Sequence, residues 1–287
     1  MAAYRKMDQK TLDREYSARG TVSDGVFEAA IANYTQLSEH CRQSLDCRVD
    51  IPYGSSPDEV LDIFPAGDNA PLFIFIHGGY WRALSQKESS FMAEAFTKRG
   101  VAVAAVNYSL APEASLDKIV RQCRRALAWT YDNAKSFGVD RERIYIGGSS
   151  AGGHLVGMLI SSGWHRRFGV PPDIVKGACA LSGLFELEPL LRAEANTWMN
   201  LDEAAAKRNS PANHLPEEHG CPLIVSYGGN ETAEFKRQTD DYAAAWRNAG
   251  FSCTYVAAAQ RNHFDIVMEL CDPIGELGQK VFSQIGV

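Results

Sequence analysis

Residues 143–162 read RIYIGGSSAGGHLVGMLISS. RIYIGGSS (143–150) is an apolar run that reads as a buried strand. AGGHLVGMLISS (151–162) reads as a helix. Between them stands Gly148-Ser149-Ser150-Ala151-Gly152, a G-x-S-x-G. A serine placed where a strand turns sharply into a helix is the structural context of a nucleophile elbow. Flanking glycines leave room for the turn and for close packing. Ser150 would then project at the carboxyl edge of a sheet. The N–H of Ala151, at the helix start, would face a developing oxyanion.

Outward from the elbow, strand and helix alternate. PLFIFIHGG (71–79), VAVAAVNY (101–108), IVKGACALSG (174–183), CPLIVSYGG (221–229) and SCTYVAAA (252–259) are the further apolar runs. Continuous apolar runs suit strands buried on both faces, as in a parallel sheet. Helices are expected over 84–99, over 116–137 with Ser115 as N-cap, over 187–208 and over 234–249, and a last one starts near Asp265. In 234–249 the aromatics Phe235, Tyr242 and Trp246 share a stripe, with Asp240, Asp241 and Arg247 off it. CRVDIPYG (47–54) and EVLDIFPA (59–66) alternate around a Ser-Ser-Pro-Asp turn and read as an antiparallel hairpin. The expected architecture is α/β: a mostly parallel central sheet with helices on both faces and an N-terminal antiparallel hairpin. No linker or repeat divides residues 1–287, so one domain is expected. Residues 1–45 and 187–215 are candidate caps over the site.

Composition narrows the function. The chain has 287 residues, 45% hydrophobic and 22% charged, with net charge −6. Such a surface suits neither nucleic acid nor a membrane, because phosphate binding needs clustered Lys and Arg. The basic cluster Arg121–Arg125, with Cys123 inside, reads as a solvated helix face. No apolar run is long enough to span a membrane, and MAAYRKMDQKTLDREY lacks the apolar core of a secretory leader. Seven cysteines at irregular spacing, with no Cys-x-x-Cys, argue for reduced thiols and a cytoplasmic setting. Cys179, Cys221 and Cys253 lie in strand-like runs and read as core filler.

His77-Gly78-Gly79-Tyr80-Trp81 ends the first buried run. Two glycines let backbone N–H groups approach a ligand, as in the HGG oxyanion loop of esterases, so Gly78, Gly79 and Tyr80 join Ala151 as candidate oxyanion donors. A serine nucleophile needs a base and an orienting acid, in the chain order Ser, acid, His. His263 follows the last strand and is the candidate base. His154 lies one helical turn beyond Ser150 and is expected to pack within its helix. His165, His214 and His219 lie in polar segments and are expected at the surface. Glu231 is the first carboxylate after CPLIVSYGG and is the candidate acid. Glu234 begins the next helix, and Asp265 lies two residues beyond His263. Trp81, Tyr80, Phe185 and Phe264 are candidates for an aromatic substrate pocket, and Arg82 could meet a substrate carboxylate or form a surface ion pair. There is no P-loop, dinucleotide fingerprint or paired Cys/His cluster, so no metal and no cofactor is expected.

With HGGYW (77–81), GSSAG (148–152) and NHFDIV (262–267) in view, the chain resembles the kynurenine formamidase (arylformamidase) branch of the α/β-hydrolases, related to hormone-sensitive-lipase-like esterases. The likeness runs over roughly residues 20–285. It implies that His77, Gly78, Gly79 and Trp81 match the family's HGGxW loop, Ser150 its elbow serine and His263 its closing histidine. The family usually has Asp where Glu231 stands. Glu is one methylene longer, so the imidazole or the loop must shift to meet it. The implied reaction is hydrolysis of N-formyl-L-kynurenine to kynurenine and formate. A carboxylesterase of small aryl or alkyl substrates and a non-catalytic binding protein on the same fold are the competing readings. Reaction with a fluorophosphonate probe separates the last from the other two. The expected partner is a small-molecule substrate, and a homodimer is left open.

Overall fold

The computed structural model describes residues 3–287. Eight strands form one sheet: β1 Arg48–Pro52, β2 Val60–Phe64, β3 Ala70–Ile76, β4 Ala102–Val106, β5 Val139–Ser149, β6 Val175–Leu181, β7 Leu223–Ser226 and β8 Cys253–Tyr255. Their order is β1-β2-β4-β3-β5-β6-β7-β8. β1 and β2 form the expected antiparallel hairpin, and β2 also runs antiparallel to β4. From β4 to β8 every neighbouring pair is parallel. The alternation of side chains along β3 shows why the run is apolar throughout. Leu72, Ile74 and Ile76 enter one core, and Phe73 and Phe75 enter the other.

Helices close both faces. Leu116–Asn133 contributes Leu116, Ile119, Cys123 and Leu127 to the first core, and its Ser115 cap accepts from the Lys118 N–H at 3.3 Å. Ala151–Leu159 is buried along its whole length. Ala233–Asn248 buries Phe235, Tyr242 and Trp246, as the stripe predicts. Glu276–Ile285 covers the second core with Leu277, Val281 and Phe282.

Three helical expectations need correction. Residues 84–99 hold only a 3-10 turn, Gln86–Glu88, and a short helix, Ala93–Thr97. A capping box between Ser85 and Glu88 completes a single turn, and the Ser90 N–H leaves it to bond Ser38 Oγ at 3.1 Å. Residues 187–208 break into Glu188–Leu191, Asn196–Met199 and Glu203–Arg208. Asn200 stops the second piece in a left-handed conformation, and Asp202 starts the third by accepting from the Ala205 N–H. After Asp265 a 3-10 segment, Ile266–Cys271, precedes the last helix, with Pro273 between them.

The basic cluster is also less solvated than expected. Arg121 is exposed, but Arg124 is half-buried and donates to Met158 O at 3.1 Å, while Arg125 pairs with buried Glu59. All seven cysteines are free; Cys179 and Cys221 are buried and Cys253 is half-buried. Of the candidate cap 1–45, residues 1 and 2 lie outside the described residues. The remainder forms helices Gln9–Glu15 and Asp24–Ser44, capped by Asp8 and Ser23. No described helix is long and apolar enough to cross a membrane.

Candidate active site at the carboxyl edge of the sheet

Ser150 sits between the end of β5 and the helix Ala151–Leu159 at φ 58°, ψ −120°. A non-glycine residue held there is strained, and only its surroundings keep it so. The Ser150 N–H donates to Leu181 O at 2.8 Å, and Ser150 O accepts from the His154 N–H at 3.0 Å. The helix passes so close to β3 that a side chain at Gly152 would collide with the Ile76 carbonyl.

The loop after β3 is strained as well. Gly79, Tyr80, Trp81 and Leu84 all have positive φ, at 91°, 53°, 59° and 69°. Arg82 and Ala83 N–H both donate to Gly79 O at 3.0 Å, and Ala111 N–H donates to Trp81 O at 2.8 Å. His77 Nδ1–H donates to Gly78 O at 2.9 Å, and the Tyr108 hydroxyl donates to the same oxygen at 3.3 Å and to His77 O at 2.9 Å. Full burial pushes His77 down to about 4, so its imidazole is neutral and stacks flat on Tyr108 at 4.0 Å. A trans peptide sets its C=O and N–H on opposite sides. Holding Gly78 O against His77 and Tyr108 therefore turns the Gly79 N–H the other way, and Gly79 is among the residues that line the cavity. Among the described residues the N–H groups of Gly78, Gly79, Tyr80 and Ala151 have no protein acceptor. Gly78 lies so near the elbow that a Cβ there would be 2.8 Å from Ser149 O.

Glu231 and His263 meet across the ends of β7 and β8. Glu231 Oε2 lies 2.8 Å from His263 Nδ1, and both side chains are buried. The other oxygen, Oε1, accepts from Ser182 Oγ at 2.5 Å and from the Gly228 N–H at 2.6 Å. Burial raises the pKa of this carboxyl, but the nearby His263 charge and these hydrogen bonds outweigh it and hold the group below its usual value. Three donors thus clasp the carboxylate. The edge of Phe235 packs on the His263 ring at 4.8 Å. No hydrogen bond joins Ser150 Oγ to His263 among the described residues. Both instead face one cavity of about 800 Å³. Long serine–histidine contacts are common in unliganded hydrolases and tighten with substrate.

Glu234 lies outside this group. It accepts from Tyr16 OH at 2.6 Å and pairs with Arg237 at 2.8 Å. Asp265 accepts from the Asn262 N–H and so shapes the turn that carries His263. His154 is buried as expected, with Nε2 at 2.7 Å from Asn209 O. His219 is exposed, but His165 and His214 are half-buried rather than superficial.

Tyr80 and Phe264 line the cavity. Trp81 and Phe185 do not, which corrects the pocket expected for them. Trp81 is fully buried beside His154, and Phe185 stacks on Tyr242 at 4.1 Å in the core. Their place is taken by residues that sequence reasoning missed. Tyr16, Arg19, Phe27 and Tyr34 come from the N-terminal segment, and Glu194 and Trp198 from the 188–208 stretch. Phe27 meets Phe264 edge-on at 5.1 Å, and the Tyr34 hydroxyl donates to Phe264 O. Ser182, with φ 50°, was also missed. Nothing local marks it, because its partner is 49 residues away in the chain.

This sheet, with a serine elbow and a buried carboxylate–imidazole pair at its carboxyl edge, defines an α/β-hydrolase of the arylformamidase and esterase type. The BD-FAE family model matches residues 61–173. Kynurenine formamidase from Danio rerio is 31% identical over all of this chain and 99% of its own, and that from Salmo salar is 30% identical over the same shares. A crystal structure from a Silicibacter species superposes with TM-score 0.81 at 28% identity, covering 93% of this chain and 97% of that one. The chain belongs to the kynurenine formamidase family.

Proposed function

We propose that the protein hydrolyses N-formyl-L-kynurenine to kynurenine and formate through a formyl-serine intermediate. The observation that carries this reading is the buried Glu231–His263 pair at 2.8 Å, facing the same cavity as strained Ser150. The likeness to curated kynurenine formamidases supports this choice of substrate. Ser150 Oγ attacks the formyl carbon while its proton passes to His263 Nε2. Glu231 holds the proton on Nδ1, fixes the tautomer and stabilises the imidazolium. The N–H groups of Ala151 and of the Gly78–Gly79–Tyr80 loop bind the oxyanion. Collapse of the tetrahedral intermediate breaks the C–N bond, and His263 gives its proton to the departing aniline nitrogen. Water then loses a proton to His263 and attacks the formyl ester. Formate leaves, and Ser150 Oγ regains its proton. None of these steps calls on a metal or cofactor.

The N-terminal segment and the 188–208 stretch act as the cap, with Tyr80, Phe27 and Phe264 forming the aromatic wall in place of Trp81 and Phe185. The test compares kcat/KM for N-formyl-L-kynurenine and p-nitrophenyl acetate on one preparation, with Ser150→Ala as the blank. Preference for the formyl anilide is expected. Fast ester cleavage with no deformylation would make the protein a carboxylesterase using the same three residues.

A further inference from the structure

The cavity carries an uneven set of charges. Its walls include Asp13, Glu28, Glu88 and Glu194 but only two cations, Arg19 and Arg82. Arg19 is already engaged by Asp24 and by Val22 O. Arg82 has no carboxylate or carbonyl partner among the described residues. Its guanidinium instead lies over the Trp198 ring, 3.6 Å from the centroid.

That position is built. Arg82 follows directly on the strained loop, and its N–H closes a turn onto Gly79 O at 3.0 Å. The indole beneath it is fixed in turn, because Trp198 Nε1–H donates to Tyr80 O at 3.3 Å and Tyr80 packs on its ring at 5.4 Å. One short peptide stretch thus carries the candidate oxyanion donors of the Gly78–Tyr80 loop and a cation whose flat face is occupied and whose N–H edge is free. A stacked guanidinium keeps its in-plane donors for a planar acceptor, and a carboxylate matches that fork.

We propose that Arg82 is a specificity-determining residue that binds a carboxylate on the substrate's leaving group, so that the site selects aryl amides and esters that carry a carboxylate over those that lack one. This rests on the deformylase reading for its natural substrate, but not for its test.

The experiment measures kcat/KM on two matched pairs. The formamide pair is N-formyl-L-kynurenine and 2-formamidoacetophenone, which keeps the ring, ketone and formamide but lacks the amino acid. The ester pair is 3-(2-acetoxyphenyl)propanoate and 2-propylphenyl acetate. The neutral member of each pair corrects for anything the substitution does to the catalytic groups. In Arg82→Gln the ratio of the carboxylate-bearing member to its partner should fall about ten- to a hundred-fold, chiefly through KM, as expected for a lost charge-assisted hydrogen-bond pair. Arg82→Lys keeps the charge without the fork and should recover part of it. The formamide pair decides where the wild type cleaves it, and the ester pair decides otherwise. An unmoved ratio in Arg82→Gln overturns the role of Arg82, even if deformylation is brisk. A wild type that cleaves only esters, with a ratio that still falls, removes the deformylase reading and leaves Arg82 in place.

Discussion

The candidate reaction centre and the segments that line the cavity beside it are held by different means. At the elbow and the loop after β3, backbone does the holding. Ser150, Gly79, Tyr80 and Trp81 all sit at positive φ, and main-chain hydrogen bonds to Leu181, Gly79 and Trp81 lock them. Over the cavity, side chains do it. Tyr34 reaches Phe264 O, Tyr16 reaches Glu234, and Tyr80 OH reaches back to Tyr16 O at 2.9 Å. The first arrangement costs strain and tolerates almost no displacement. The second consists of separable contacts, each contributing little alone. Chemistry should therefore fail abruptly when the centre is altered, and selectivity should drift when the cap is altered.

Ser150→Ala should be the harshest change. It should lower kcat by at least about 10⁴-fold without unfolding the protein, since only a hydroxyl is lost. A folded Ser150→Ala variant with full turnover would end the mechanism. Glu231→Gln comes next. It leaves a nearly isosteric group that no longer secures the Nδ1–H tautomer, and kcat should drop by about 10³- to 10⁴-fold. Glu231→Asp should recover only part of this, because Ser182 and Gly228 hold the longer side chain. Equal activity of Asp and Glu at this position would show that the clasp is irrelevant.

Gly79→Ala tests the loop. A methyl there would run into the Ala83 carbonyl at a φ of 91°. Shifting one oxyanion donor should reduce kcat by about 10²- to 10³-fold, with a smaller effect on KM. On the cap, Tyr34→Phe removes only the hydroxyl that holds Phe264 O. KM should rise a few-fold, in line with about 1 kcal/mol for one hydrogen bond, and kcat should hold. A kcat loss as large as that of Gly79→Ala would erase the contrast between the two regions.

The last effect is one of pH, and it falls on stability and not on turnover. Burial holds both His77 and His154 at about 4, against 6.5 in an unfolded chain. As pH falls from 6.5 to 4, the unfolded chain takes up protons that the folded chain refuses. Stability is thus full above that window and is lost progressively within it. Thermal melts across the window should show a shallower slope for a folded His154→Asn variant than for the wild type. Identical slopes would remove His154 from the account.

The elbow was legible because strand, serine and helix are contiguous, and the HGG loop because it ends a run of buried strand residues. The sheet's parallel core could be read from continuous apolar runs. The expected helices at 84–99 and 187–208 failed because propensity takes no account of Ser38 drawing Ser90 out of its turn, or of Asn200 and Asp202 stopping and restarting the chain. In sequence Trp81 and Phe185 look like pocket residues, because aromatic character does not tell a wall from a core. Burial against His154 and Tyr242 decides that.

By itself the sequence determined the fold class and the strand-to-helix turn that carries Ser150, and it put Glu231 and His263 each just after the end of a strand. These depend on periodicity and local spacing, which are properties of contiguous residues. Only the tertiary structure decided that Ser182 clasps Glu231, that Tyr34 and Phe27 roof the cavity and that Trp198 supports Arg82. Those partners lie from 49 to more than two hundred residues apart in the chain. No local rule couples them, because they meet only after the sheet has brought its carboxyl edge together.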